Sequence, residues 1–386
     1  MLSYKIRIYG KMGAGRLLLA IWLLAANLGS ATAQSGSQGI TAPTVFPPFD
    51  PGAAACNKPA GLSRTLAFAQ DNRREFMQGV AHGLSLAAKD RGLDYRAAIA
   101  DNDAVKQIEQ LRLLLTSKAG GIVAAPVDAA SLSRNLQEII WAGAYVGTVV
   151  PPPATSLLNA PQYLTGKALG DAAAAYIRGR LGGSAKVVLL THDSLEFLAP
   201  RFVAIRDALR GIPGVNVVAD ISPTTVNKEG GLATMATILL AHPDVDVVLG
   251  ADTVVLGALE ALRAAGKARP DQFLGGIDGE PEAVAEIKKG NGPYKISISL
   301  ASPVFGYAMG QHAADWLEGK SIPQAMDILP SALTLANIAQ YEADLVDPAA
   351  VYADPGRRAS YLRMYGNICY DSRDRYVNFP WSSEAK

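Results

Sequence analysis

From residue 64 onward, short apolar runs alternate with longer segments whose apolar residues recur every three to four positions. The first kind reads as strands covered on both faces, the second as amphipathic helices. Strands are expected over 65–70 (TLAFAQ), 95–100, 121–125 (GIVAA) and 145–150 (YVGTVV), and helices over 73–90, 105–117 and 129–141. Pro151-Pro152-Pro153 then breaks the pattern, since a proline triplet neither continues a helix nor suits a central strand. After it the rhythm resumes, with helices over 166–180, 200–210, 231–240, 253–265, 282–289 and 304–317. Strands fall over 186–191 (KVVLLT), 215–221, 245–250, 273–277 and 294–300. Such alternation indicates βαβ units, so the expected class is α/β, with two doubly wound parallel-sheet lobes in tandem. Ligands of open parallel sheets lie beyond the carboxyl ends of the strands. Two such sheets joined by crossing segments therefore predict a cleft that closes on a small molecule.

The balance of 36 Lys+Arg against 35 Asp+Glu, with 49% hydrophobic residues, excludes a disordered polyelectrolyte and leaves no net field to attract nucleic acid. The 386 residues suffice for about two domains. Residues 1–33 distort this balance. Lys5, Arg7, Lys11 and Arg16 precede an apolar stretch over 17–28, and Ala31-Thr32-Ala33 before Gln34 has the small-x-small form of a cleavage site. The stretch is shorter than the about 20 residues a membrane span needs, so it reads as a signal peptide, with an uncleaved anchor as the alternative. Without these four cations the formal charge falls from +1 to −3. Export to the periplasm or the medium follows. Residues 34–60 are rich in Pro, Gly and Ser and read as a linker. The two cysteines, Cys56 and Cys369, are expected to pair in an oxidising compartment, two free buried thiols being the alternative.

Neither a GxxxxGK[ST] loop nor a GxGxxG turn opening a helix occurs, and His82, His192, His242 and His312 have no metal-ligand spacing. No cofactor and no metal are expected. His192-Asp193-Ser194 follows the strand over 186–191, yet no GxSxG elbow is present and neighbours on a loop point in different directions. A secreted hydrolase built on this run is the rival reading; binding by His192 at a strand end is the preferred one. Acidic residues stand at the other strand ends: Asp71, followed by Arg73 and Arg74, then Asp101 and Asp103, Asp128, Asp252 and Asp278. Each precedes a helix, where aspartate is equally an ordinary N-cap. Facing one cleft, they suit a ligand rich in hydroxyl donors, with Arg201 donating in return.

Four segments then carry a resemblance: REFMQGVAHGLSLAAKDRG (74–92), DNDAVKQIEQLRLLLTSKAGGIVAAPVDAASL (101–132), LLAHPDVDVVLGADTVVLGALEALRAAGK (239–267) and GGIDGEPEAVAEIKKG (275–290). Over about 64–335 the chain resembles the periplasmic sugar-binding proteins of the ribose/galactose type, which share their fold with lac-repressor-like ligand-binding cores. The resemblance implies a non-enzymatic, monomeric solute receptor that hands a small molecule to the permease of an ABC transporter, or alternatively to a membrane sensor kinase or chemoreceptor. It implies a first lobe of 61–152 plus 302–328 and a second of 157–300 plus 329–341. The hinge segments would lie near 151–161, 300–303 and 328–331. Phe76 matches the family's stacking aromatic, Arg201 its hydroxyl-binding arginine, and Asp278 the aspartate of its FDG segment. A transcription regulator is excluded, because a signal segment and no helix-turn-helix precedes the first strand.

The departures narrow the ligand. Ala251 stands where ribose-type proteins carry Asn, Leu300 falls on the hinge position that often holds Gln, and Pro161 and Gln162 replace the usual Asp-Asn pair. An unpaired hydroxyl in a closed cleft costs about 1–3 kcal/mol. Ribose and galactose are thereby disfavoured against a less hydroxylated compound, such as a short polyol, a deoxy or modified sugar, or a partly apolar or anionic metabolite met by Arg73, Arg74 and Arg201. Residues 342–386 extend beyond the usual end and carry Tyr352, Tyr361, Tyr365, Tyr370, Tyr376, Phe379 and Trp381, expected to pack this extension on the lobes, a partner surface being the alternative.

Overall fold

The apolar runs become strands where both faces are covered. In the computed structural model, which describes residues 46–149, 153–192, 195–379 and 381–384, the chain starts with β1 (Ser63–Gln70), α1 (Glu75–Arg91), β2 (Asp94–Ile99) and α2 (Ala104–Thr116). It continues with β3 (Ala119–Ala124), α3 (Ala129–Trp141), β4 (Tyr145–Thr148) and β5 (Ser156–Asn159). A second set follows: α4 (Gln162–Arg180), β6 (Ser184–Leu190), α5 (Ala199–Arg210), β7 (Gly214–Ile221) and α6 (Lys228–Ala241). Then come β8 (Val247–Leu249), α7 (Asp252–Ala264), β9 (Phe273–Ile277), α8 (Pro281–Lys288) and β10 (Tyr294–Leu300). The rest comprises α9 (Ser302–Leu317), β11 (Ala325–Ile328), β12 (Pro330–Leu333), α10 (Ile338–Val346), α11 (Pro348–Ala353), α12 (Pro355–Tyr361) and β13 (Leu362–Tyr365). The expected signal segment, Pro151, Pro152, Asp193 and Ser194 lie outside the described residues. Among the described residues no helix is long and apolar enough to cross a membrane.

Two sheets result, ordered β13-β11-β5-β4-β3-β1-β2 and β12-β10-β9-β8-β6-β7. Pairing is parallel except at one edge of each, where β13 runs antiparallel to β11 and β12 antiparallel to β10. Leu66, Ala67, Phe68 and Ala69 of central β1 are wholly buried, whereas the edge strands β2 and β7 are partly exposed. Fully burying a large apolar side chain of this kind stabilises the fold by about 1.5–3 kcal/mol. Helices α1 and α9 cover one face of the first sheet at backbone contact. A Cβ on Gly83 would stand 2.0 Å from the Pro303 carbonyl oxygen, and one on Gly306 2.2 Å from that of Val80. The class is thus α/β, two doubly wound lobes.

The chain passes between the sheets from Asn159 to Gln162, from Leu300 to Ser302 and from Ile328 to Pro330. It then crosses a fourth time, because after β12 it returns through α10 to place β13 in the first sheet. The extension therefore does more than pack: its Met364 pairs with Met326 in sheet register. The lead-in read as a linker is likewise pinned. Pro48 bridges to Tyr365, covering the outer edge of β13, and the amide and side chain of Asn57 each donate to Asp371 at 2.6 Å. Cys56 and Cys369 are bonded, with Cα atoms 6.1 Å apart.

Candidate binding cleft

On the second lobe, the loop after β9 and the start of α5 bring three side chains together. Arg201 is the third residue of α5, and its guanidinium is nearly buried because α4 and α5 touch; a Cβ on Gly166 would lie 1.9 Å from the Arg201 carbonyl oxygen. Its Nε donates to Oε1 of Gln162 at the start of α4, and one terminal nitrogen lies 3.5 Å from Oδ1 of Asp278. Burial lowers the pKa of this arginine, against the opposing pull of Asp278. Asp278 adopts a left-handed backbone (φ 119°), fixed by its N–H donating to the Ile298 carbonyl at 2.8 Å. Its side chain is 46% accessible to water, yet protein crowds it, and this desolvation raises its pKa despite Arg201, His192 and Arg74.

Arg74 belongs to the first lobe, so its influence on Asp278 places the start of α1 opposite the β9–α8 loop. Glu75 acts across the same gap on Glu280, whose carboxyl is raised to about 7 by burial and by the carboxylates of Asp252, Asp278, Glu75 and Glu282. Sequence reasoning passed over Glu280; its only signal was an acid two residues after Asp278 and just before the proline that opens α8.

On the first lobe, Arg74 pairs with Asp71 at 2.5 Å, and Asn72 organises the turn. The Asn72 side-chain oxygen accepts from the backbone N–H and Nε of Arg74, while its Nδ2 donates to Asn102 at 2.9 Å. Neither asparagine was among the expected site residues. Arg73 is exposed and acts electrostatically on Asp101, and Phe76 is half-buried against the main apolar core. Asp101, left-handed at φ 56°, is committed to Lys106 at 2.6 Å.

Four of the expected site residues have partners within the chain. Asp103 caps α2 by accepting from the N–H groups of Val105 and Lys106, and Asp128 caps α3 by accepting from that of Ser131, so the capping reading accounts for both. Asp252 has no exposed surface: its carboxylate accepts from Tyr294 Oη (2.7 Å), Ser297 Oγ (2.6 Å) and the Glu280 N–H (2.8 Å). Burial raises its pKa to about 6 even so. It anchors the loop that carries Asp278. Leu300 is buried in the main apolar core, where it pairs with Pro330 at the second and third crossings. His192 is partly buried and near enough to Asp278 to favour its ionised form.

A periplasmic binding protein domain matches residues 66–329. The ribose import binding protein of Bacillus subtilis is 29% identical over 264 residues, covering 65% of this chain and 80% of that protein. Two solved structures share the fold. A periplasmic ribose ABC transporter protein from Conexibacter woesei has TM-score 0.63 and 20% identity, covering 74% of this chain and 96% of the other. A solute-binding protein from Bacillus halodurans with bound myo-inositol has TM-score 0.62 and 20% identity, covering 74% and 99%. With its matching region covering more than half of the chain and reaching into both sheets, the chain belongs to the periplasmic binding proteins, a family of solute binders for transport and not of enzymes.

Proposed function

We propose that this protein, exported by the signal segment of residues 1–33, captures a neutral polyhydroxylated solute, a sugar or cyclitol, and delivers it to the permease of an ABC importer. One observation carries the choice of ligand: both guanidinium groups placed in the cleft already have a carboxylate of this chain, Arg74 with Asp71 and Arg201 with Asp278. Glu280 and Glu75 add further acid. An anionic ligand would have to displace these partners and meet uncompensated carboxylates, whereas hydroxyl groups insert into such pairs by donating to the acids and accepting from the arginines. The anionic metabolites admitted by the sequence reading are disfavoured on this ground. Phe76 offers an apolar face and His192 a further polar contact. The similar Bacillus halodurans structure holds myo-inositol and the Bacillus subtilis relative is a ribose import binding protein, both compounds being neutral and polyhydroxylated.

Thermal-shift screening of ribose, allose, myo-inositol and a panel of organic acids tests the reading. At a hundredfold excess over Kd a true ligand stabilises by about 2.7 kcal/mol, a rise of about 5 °C. A neutral polyol is expected to produce it, and Arg201→Ala is expected to weaken binding about 10–100-fold. A shift by an organic acid, with none by any polyol, refutes the proposal.

A further inference from the structure

The C-terminal extension touches both lobes, and its contacts are arranged as a strap across the first crossing. Its anchor is in the first lobe. Val377 exchanges backbone hydrogen bonds with Ala154 at 3.1 and 3.0 Å, just before β5. Buried Trp381 packs edge-on against Tyr365 of β13, and Asn159 at the end of β5 donates to Ser383 as well as to Asp327 of β11. One residue further on, the strap grips the second lobe. The Glu384 carboxylate accepts from the N–H of Leu164 in the first turn of α4; burial raises its pKa, and the amides of Leu164, Tyr163 and Gln162 oppose that rise. Helix α4 has no side-chain cap of its own, because Pro161 occupies the N-cap position. The cap is supplied from 220 residues away. Since α4 begins immediately after the first crossing, a rotation of the second lobe about that crossing has to pull α4 from Glu384 or Ser383 from Asn159.

We infer that residues 377–379 and 381–384 act as a strap that restrains the hinge, holding the two lobes in the described arrangement through Glu384 on the α4 N-terminus. The strap is continuous with the site, because Gln162, whose amide lies beneath Glu384, also accepts the Nε hydrogen bond of Arg201. The inference concerns hinge travel and its test uses no ligand, so its failure is distinguishable from failure of the transport reading.

The experiment compares the wild-type full-length mature protein with Glu384→Ala and Glu384→Gln. Amide hydrogen exchange is followed at residues 162–164, and the interlobe distance is measured by electron-spin dipolar spectroscopy. Labels go on cysteines replacing the exposed Leu113 of α2 and Leu240 of α6, one on each lobe. In Glu384→Ala the α4 amides are expected to exchange about tenfold faster, and the distance distribution to gain a separate population. Glu384→Gln, which keeps an acceptor without charge, is expected to fall between. Faster exchange with an unchanged distance distribution reduces Glu384 to a local helix cap and overturns the strap. Unchanged exchange and unchanged distances overturn it as well.

Discussion

Replacing His312 by leucine is expected to remove one acid-labile contribution to stability, the part that a buried neutral imidazole loses as pH falls toward 4. His312 lies on α9, 2% exposed, and neither ring nitrogen has a hydrogen-bond partner among the described residues. Its surroundings are Tyr352 of α11, whose ring meets it edge-on at 6.3 Å, with Asp315 of α9 and Arg358 of α12 acting on it electrostatically. Burial lowers its pKa from 6.5 to about 4; Asp315 opposes this and Arg358 adds to it. Because the folded state binds the proton more weakly than the unfolded state, the imidazole costs nothing above pH 6.5 and destabilises progressively as pH falls toward 4. For these two pKa values the loss at pH 4.5 is about 2.5 kcal/mol relative to pH 7.5. Asp252, Asp278 and Glu280, whose pKa values are raised on folding, act in the opposite direction, adding stability as pH falls. They are present in both proteins and cancel in the comparison. Urea unfolding at pH 7.5 and 4.5 measures the difference. The packing change of His312→Leu enters equally at both values, so only the pH-dependent part is diagnostic. A difference between variant and wild type that is the same at both pH values refutes the account of His312 as a buried neutral imidazole.

Two further outcomes are expected. In Glu280→Gln the fall in melting temperature between pH 5.5 and 8 should flatten, because a carboxyl raised to about 7 contributes stability that is lost as pH rises through that value; equal slopes in variant and wild type would contradict it. Cys369→Ser should lower stability by up to about 5 kcal/mol in the chain-entropy picture, since the bond closes a loop with a sequence separation of 313, and calorimetry with and without reductant checks this. A wild-type melting temperature indifferent to reductant would show that the lead-in and extension are held by their other contacts.

The lobes were legible because their strands are continuous apolar runs bounded by capped helices: β9 and β10 and the helix over 129–141 coincide with the expected bounds. What was missed is short or non-local. β5, β11, β12 and β13 have four residues each, too few for a period to emerge, and they become strands through pairing with partners set by topology. Tyr365 and Trp381 were legible as apolar mass, but a strand at 362–365 depends on β11 offering an open edge, which nothing near residue 362 reveals.

The same division runs through the site. Arg201 and Asp278 stood out because each has a charged side chain at a strand or helix end, Asp278 inside a matching segment and Arg201 at the family's arginine position, and the structure brings them to 3.5 Å. The aspartates at helix starts did not separate so easily, because capping and ligand binding ask for one residue type at one place. Only the occupants of their oxygen atoms distinguish them: backbone amides two and three residues ahead for Asp103, the Ser131 amide for Asp128, and three donors drawn from the β9–α8 loop and β10 for Asp252. Asp252 shows why the distinction matters. Its donors include the amide of Glu280, two residues beyond Asp278, and Ser297 in turn accepts from the Gly279 N–H at 3.0 Å. A buried carboxylate thus sets the backbone path that holds Asp278 at φ 119° and turns it toward Arg201. The residues that shape the cleft and those that line it carry the same chemistry in the sequence, and the hydrogen bonds formed on folding sort one from the other.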